Sequence, residues 1–225
     1  MLKNRISLFL VAIGLFAPGL CLGQGLQTRP EQLVKLAPRL SPKVAELALN
    51  AARCADSKLE QGEANKLAVI DYSLPSVEKR FWVFDLNGPK LVSEELVAHG
   101  KNSGLDRAGK FSNRPGSLQS SLGLFGIGGR YTGKHGNSLR LIGLEQGIND
   151  LAEERAIVIH GADYVSEKFI GLHRRLGRSF GCPALGPEAV GKVIDHLTSG
   201  KSFLFSYYPD EEWLAKSALL NRCGI

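Results

Sequence analysis

The hydrophobic period of this 225-residue chain changes near Lys66, and that change constrains the fold more than any other feature. Upstream, Val44, Leu47, Ala48, Ala51 and Ala55 recur at helical spacing, with Ser41 as N-cap, Pro42 as the first helical residue and Gly62 as a stop. Downstream, apolar and β-branched residues fall in short strand-like runs over 67–72, 80–85 and 91–99, and Asn87-Gly88 between the last two is a hairpin signal. Together these patterns predict a mainly antiparallel β domain with helical decoration, an α+β class. A helical segment precedes it, and so narrow an alanine stripe must pack against the main domain to bury enough surface.

Further along, 100–121 is dominated by Gly, Ser and Asn and reads as a long loop, of a length usually reserved for function or mobility. Strands are expected at 122–127 and 138–144, and a short helix at 149–155. Ile157-Val158-Ile159 has the length and branching of a buried strand, which leaves His160 at its end. The stretch 163–176 reads as partly helical and broken by Gly171. Pro187 opens a helix whose Val190, Val193, Ile194 and Leu197 share a face, ended by Ser199-Gly200; a strand at 202–208 and a helix at 211–220 follow.

Residues 1–23 have the three parts of a secretory signal: Lys3 and Arg5, an apolar core from Ile6 to about Leu20, then short residues before Gln24. Cleavage is expected after Gly23, and Leu20 argues against a lipid on Cys21. No later stretch approaches the roughly 20 apolar residues that a spanning helix needs, so no membrane association is expected after cleavage. The chain divides into signal (1–23), polar linker and helix (24–65) and main domain (66–225). Loss of Lys3 and Arg5 lowers the net charge from +6 to +4. That mild surplus suits an anionic polymer such as a cell wall and equally an ordinary surface. No nucleic-acid motif is present.

The chemistry concentrates in Gly177-Arg178-Ser179-Phe180-Gly181-Cys182-Pro183, where Cys182 lies 22 residues after His160. A thiol attacks as thiolate, so it needs a base or positive charge beside it; a strand-end histidine supplies one. Gly181 permits close backbone approach, and the N–H groups of Gly181 and Cys182 are candidates to hold an oxyanion. Arg178 adjoins the motif, and Arg174 and Arg175 are either further anion-binding groups or a solvated loop. Tyr131 and Tyr164 are cleft candidates or packing residues. With Cys182 in the motif, the other two mature cysteines, Cys54 and Cys223, are candidates for a disulfide; three unpaired buried thiols is the alternative.

The ordered motifs Val97-Ala98-His99-Gly100-Lys101-Asn102-Ser103-Gly104, Phe111-Ser112-Asn113, Ser120-Ser121-Leu122-Gly123, Ile159-His160-Gly161 and Ser179-Phe180-Gly181-Cys182 resemble a divergent branch of the L,D-transpeptidase catalytic domain. The resemblance covers about 67–208 and implies a sandwich-like β core. It implies a Cys182 nucleophile, His160 as base, the Gly161 carbonyl orienting the imidazole, and no metal or organic cofactor. It further implies peptidoglycan stem peptides, cut at an L-to-D junction, as substrate, and a periplasmic or cell-wall location. Two departures stand out. Phe180 replaces the family's histidine two positions before the cysteine, and the 18-residue spacer between His160 and Ser179 is longer than usual. Arg178, Ser179 and Phe180 are then the substrate-binding candidates.

Hydrolysis in place of transfer, and a non-catalytic wall-binding domain, are the alternatives within that fold. Gly177–Gly181 also matches the G-x-S-x-G serine elbow, but no apolar strand precedes it and the strong histidine lies upstream, leaving only His196. His99, His135, His160 and Cys182 lack paired metal-ligand spacing, so no metal is expected. His99 reads as either cleft border or strand-end structure, and His173 as solvent-facing.

Overall fold

The computed structural model describes residues 25–59, 63–134 and 136–223. The signal segment, the Gly62 helix stop and His135 lie outside the described residues. The chain is α+β, with eight strands hydrogen-bonded into one sheet in the order β3-β2-β1-β8-β4-β5-β6-β7. These are β1 (Lys66–Asp71), β2 (Phe81–Asp85), β3 (Lys90–Glu95), β4 (Gly123–Gly133), β5 (Gly136–Gly143), β6 (Val158–Gly161), β7 (Ala184–Leu185) and β8 (Ser202–Tyr207). Five pairings are antiparallel; β1 with β8 and β6 with β7 are parallel.

β1 is central and buried along its whole length, with Leu67 opposite Phe84 on one side and Phe203 on the other. The Asn87-Gly88 hairpin joins β2 to β3, and Gly88 takes the positive φ (74°) that the turn needs. Helix α2 (Pro42–Lys58) lies against β1, β4 and β8. Its alanines are buried more widely than one stripe, because neighbours cover Ala45, Leu49 and Ala52 as well as Val44, Ala48 and Ala51. Helix α4 (Pro187–Leu197) buries Val190, Val193, Ile194 and Leu197 on β5, β6 and β1.

Several expectations need correction. The polar linker contains helix α1 (Pro30–Leu36), started by Pro30 and capped at its N-terminus by the Arg29 N–H donating to Gln32 Oε1 at 2.8 Å; Leu33 anchors it in the core. The segment 149–155 forms successive turns, not a helix, and ends at Ala156, whose φ is +52°. Helix α3 (Glu167–His173) passes through Gly171 and stops at Arg174 in the left-handed region. The expected helix at 211–220 splits into α5 (Glu211–Lys216) and α6 (Ala218–Asn221), because Ser217 caps the second and hydrogen-bonds buried Glu145. The largest difference is the β4–β5 hairpin. β4 runs on past Ile127 through Gly128, Gly129 and Gly133, where low strand propensity hid it, with a register shift at Gly128-Gly129 between the Ile127–Leu141 and Arg130–Leu139 pairs. Beyond Gly126, β4 no longer pairs with β8, while β5 stays in the sheet through Ser138–Arg140 on β6, so only the hairpin tip at the Thr132–Asn137 pair is two-stranded.

Arg80 is fully buried. Its guanidinium donates to the carbonyls of Leu74 and Val97 and to His99 Nδ1 (2.9 Å), and burial pulls its pKa down to about 10. His99 is therefore structural, and burial together with Arg80 holds its pKa near 4. The sign follows from linkage. Between pH 6.5 and 4 the unfolded chain protonates this imidazole while the folded chain does not, so stability present above that window is lost as pH falls through it, by about 3 kcal/mol. Burial raises Asp71 and Glu145, which act in the opposite direction, so the comparison is with His99→Asn, whose amide oxygen can accept from Arg80. Urea unfolding from pH 7 to 4 should show a steeper loss in the wild-type protein; equal slopes would refute the assignment.

Candidate active site

Parallel pairing of β6 with β7 brings the two halves of the site together. His160 pairs with Ala184, and its N–H donates to the Pro183 carbonyl, so the turn carrying Cys182 runs directly into the strand beside His160. Cys182 and His160 line one cleft of about 420 Å³, with Val158, Ala156, Arg155, Tyr131, Lys134, Tyr164, Arg178, Ser179 and Phe180 around them.

The cysteine turn is built by close approach. Gly181 has φ +129°, and a Cβ there would lie 2.8 Å from the Gln119 carbonyl oxygen, so only glycine fits without strain. Ser179 Oγ donates to the Cys182 carbonyl (2.6 Å) and accepts from the Gly181 N–H (3.0 Å). These bonds bear on two expected site residues. The Gly181 N–H is already donated to Ser179 Oγ. The Ser179 hydroxyl braces the turn while the residue lines the cleft beside Cys182.

The Cys182 Sγ is held by two backbone groups. The Val158 N–H donates to it at 3.5 Å, and the thiol donates to the Ala156 carbonyl at 3.5 Å. Ala156 sits in the left-handed region, strain of the kind that gathers at functional sites, and its carbonyl meets the sulfur. Burial raises the Cys182 pKa, while the Val158 N–H and the Arg155 guanidinium oppose that rise. The resting sulfur is therefore a thiol at neutral pH.

On His160, Nδ1 lies 3.0 Å from the Gly161 carbonyl. A carbonyl only accepts, so Nδ1 carries the proton and Nε2 is the basic nitrogen. Phe180 is 65% exposed at the cleft rim, and Lys101 Nζ lies 4.7 Å from its ring centroid. Arg178 reaches the carbonyls of Lys101 and Gly104. Arg174 and Arg175 are outside the cleft: Arg174 ends α3, and Arg175 donates to the Leu176 carbonyl. Cys54 and Cys223 are bonded to each other, joining α2 to the C-terminus. Among the described residues no group of three His, Cys, Asp or Glu could hold a metal, and no helix is long and apolar enough to cross a membrane.

Sequence reasoning missed Arg155, which sits in the turns before β6. Its neighbours in space come from 112–121, more than thirty positions away, and no local pattern announces that contact.

A family model described as the L,D-transpeptidase catalytic domain matches residues 36–207. None of the curated proteins matches the chain. Among solved structures, the helical cell shape determining protein Pgp2 from Campylobacter jejuni is 14% identical, with TM-score 0.45, over 73% of this chain and 56% of that one. An L,D-transpeptidase from Mycobacterium smegmatis is 14% identical, with TM-score 0.40, over 65% and 60%. One from Xylanimonas cellulosilytica is 12% identical, with TM-score 0.35, over 82% and 93%. The match thus spans little more than half of the Campylobacter protein.

Proposed function

We propose that this chain, which belongs to the L,D-transpeptidase catalytic-domain family, is an exported cysteine acyltransferase that remodels peptidoglycan stem peptides at an L-to-D junction. The observation that carries this reading is the shared cleft: Cys182 and His160 both line it, and the Gly161 carbonyl fixes the tautomer that leaves Nε2 basic. Because the resting sulfur is a thiol, His160 Nε2 takes its proton as the sulfur attacks, acting as a general base.

The steps balance as follows. Sγ bonds to the scissile carbonyl carbon, and the oxyanion that forms is held by the Cys182 N–H. Collapse breaks the C–N bond, the departing amine takes the proton from His160, and a thioester remains on Cys182. The amine of a second stem peptide then attacks the thioester and passes its proton to His160, the C–S bond breaks with a new crosslink formed, and the released sulfur takes that proton back from His160 to restore the thiol. A second depression of about 590 Å³ shares Lys134 and Tyr164 with the cleft and is bounded by Gly161 and Asp163. It gives an acceptor stem room beside His160, which favours transfer over hydrolysis. Export to the periplasm or cell wall is part of the same reading.

Incubation of the full chain with tetrapeptide-containing muropeptides, followed by mass analysis, is the test. Crosslinked dimers are expected; shortened monomers alone would assign hydrolysis. Products from Cys182→Ala equal to those of the wild type would overturn the reading.

A further inference from the structure

We propose that Arg155 is a positioning residue of this site, holding segment 112–121 against the cysteine turn and supplying the positive charge that stabilises the anion formed at Cys182 Sγ. The inference rests on Cys182 being the nucleophile. The geometry is that of a clamp. Nη1 donates to the Ser112 carbonyl (2.6 Å) and to Ser121 Oγ, and Nη2 to the Gln119 carbonyl (2.6 Å) and Ser117 Oγ (3.3 Å). Four acceptors from one ten-residue stretch converge on one guanidinium.

That stretch is also the floor of the cysteine turn. The Gln119 oxygen held by Arg155 is the atom that a Cβ at Gly181 would strike, and such a Cβ would lie 3.3 Å from Arg155 Nη2. The neighbouring Ser120 hydroxyl donates to the Gly181 carbonyl at 3.1 Å. Arg155 therefore fixes the surface on which Gly181 and Cys182 rest.

The charge is what makes this more than bracing. All four partners are neutral, and among the described residues no carboxylate forms an ion pair with Arg155. A half-buried, unneutralised cation thus lines the same cleft as the sulfur. The other titratable groups facing Cys182 are His160, Tyr131, Tyr164, Lys134 and Arg178 across the cleft, with Tyr72 behind. Of the cationic side chains, Arg155 is the one whose field bears on the thiol directly: it lowers the Cys182 pKa against burial, and the thiolate in turn raises that of Arg155.

Iodoacetamide alkylation of Cys182, followed from pH 6 to 11 on the full chain, separates charge from bracing. Arg155→Gln should move the half-maximal rate up by about one pH unit, which is about tenfold less thiolate at a given pH below it. Arg155→Lys keeps the charge but has three donors for four acceptors. Its alkylation profile should stay near wild type while amide hydrogen exchange in 112–121 quickens. A folded Gln variant with an unmoved profile would overturn the electrostatic role, as would a Lys variant shifted by a full unit. Unchanged exchange in the Lys variant would overturn the clamp. If alkylation behaves as stated yet no variant nor the wild type forms an acyl adduct, the proposed acyl transfer fails and the role of Arg155 stands.

Discussion

His160→Gln is expected to slow acylation of Cys182 by about a thousandfold at neutral pH, within the range that a positioned general base contributes. Burial raises the pKa of the resting thiol, so loss of the imidazole removes the base proposed to take its proton as it attacks. The residual rate in the variant should climb with pH across the thiol's own titration, because only the preformed thiolate then reacts. The wild-type rate should already be high near neutrality. Stopped mass-spectrometric assays of adduct formation with a carbapenem would read both. A variant within tenfold of wild type at pH 7 would mean that the proton leaves by another route. Thermal unfolding of the same variant, read beside the rate, separates loss of the base from loss of packing at this buried position.

Loss of the Cys54–Cys223 bond should destabilise the fold by about 5 kcal/mol on the chain-entropy estimate, because it closes a loop of 169 residues. For a chain of this size that is a fall of roughly 10 to 15 °C in Tm. The bond ties α2 to the C-terminal end just beyond α6, which itself packs on α2, so its rupture frees both the helix and the last turn. Cys54→Ala, Cys223→Ser and the double variant should lose similar stability, and reductant should bring the wild-type protein to the same level. A loss below 1 kcal/mol in Cys223→Ser would show that non-covalent packing of α2 and α6 suffices.

Much of this architecture is legible in the sequence, and the reasons are local. The β1–β2–β3 meander announced itself through β-branched and aromatic runs and Asn87-Gly88, and α4 through Pro187 and a four-residue apolar face. His160 and Cys182 stood out because few residue types carry nucleophilic chemistry and each sat in a distinctive frame, a buried strand end and a glycine-flanked turn. Features made by contact were hidden. The glycine-rich outer half of β4 is a strand because β5 pairs with it, against its own propensity. The bracing of Gly181 and Cys182 by the Ser179 hydroxyl is a contact of this kind, with no signature in the local sequence. Arg155 was silent for the same reason as Ser120: both act across thirty or more positions on backbone atoms, which leave no trace in side-chain pattern.

Peptide mapping after reaction with a carbapenem tests the central claim most directly. One covalent adduct, confined to the peptide containing Cys182 and absent from Cys182→Ala, is the expected result. A wild-type protein that stays unmodified, or an adduct that persists in Cys182→Ala, would contradict it.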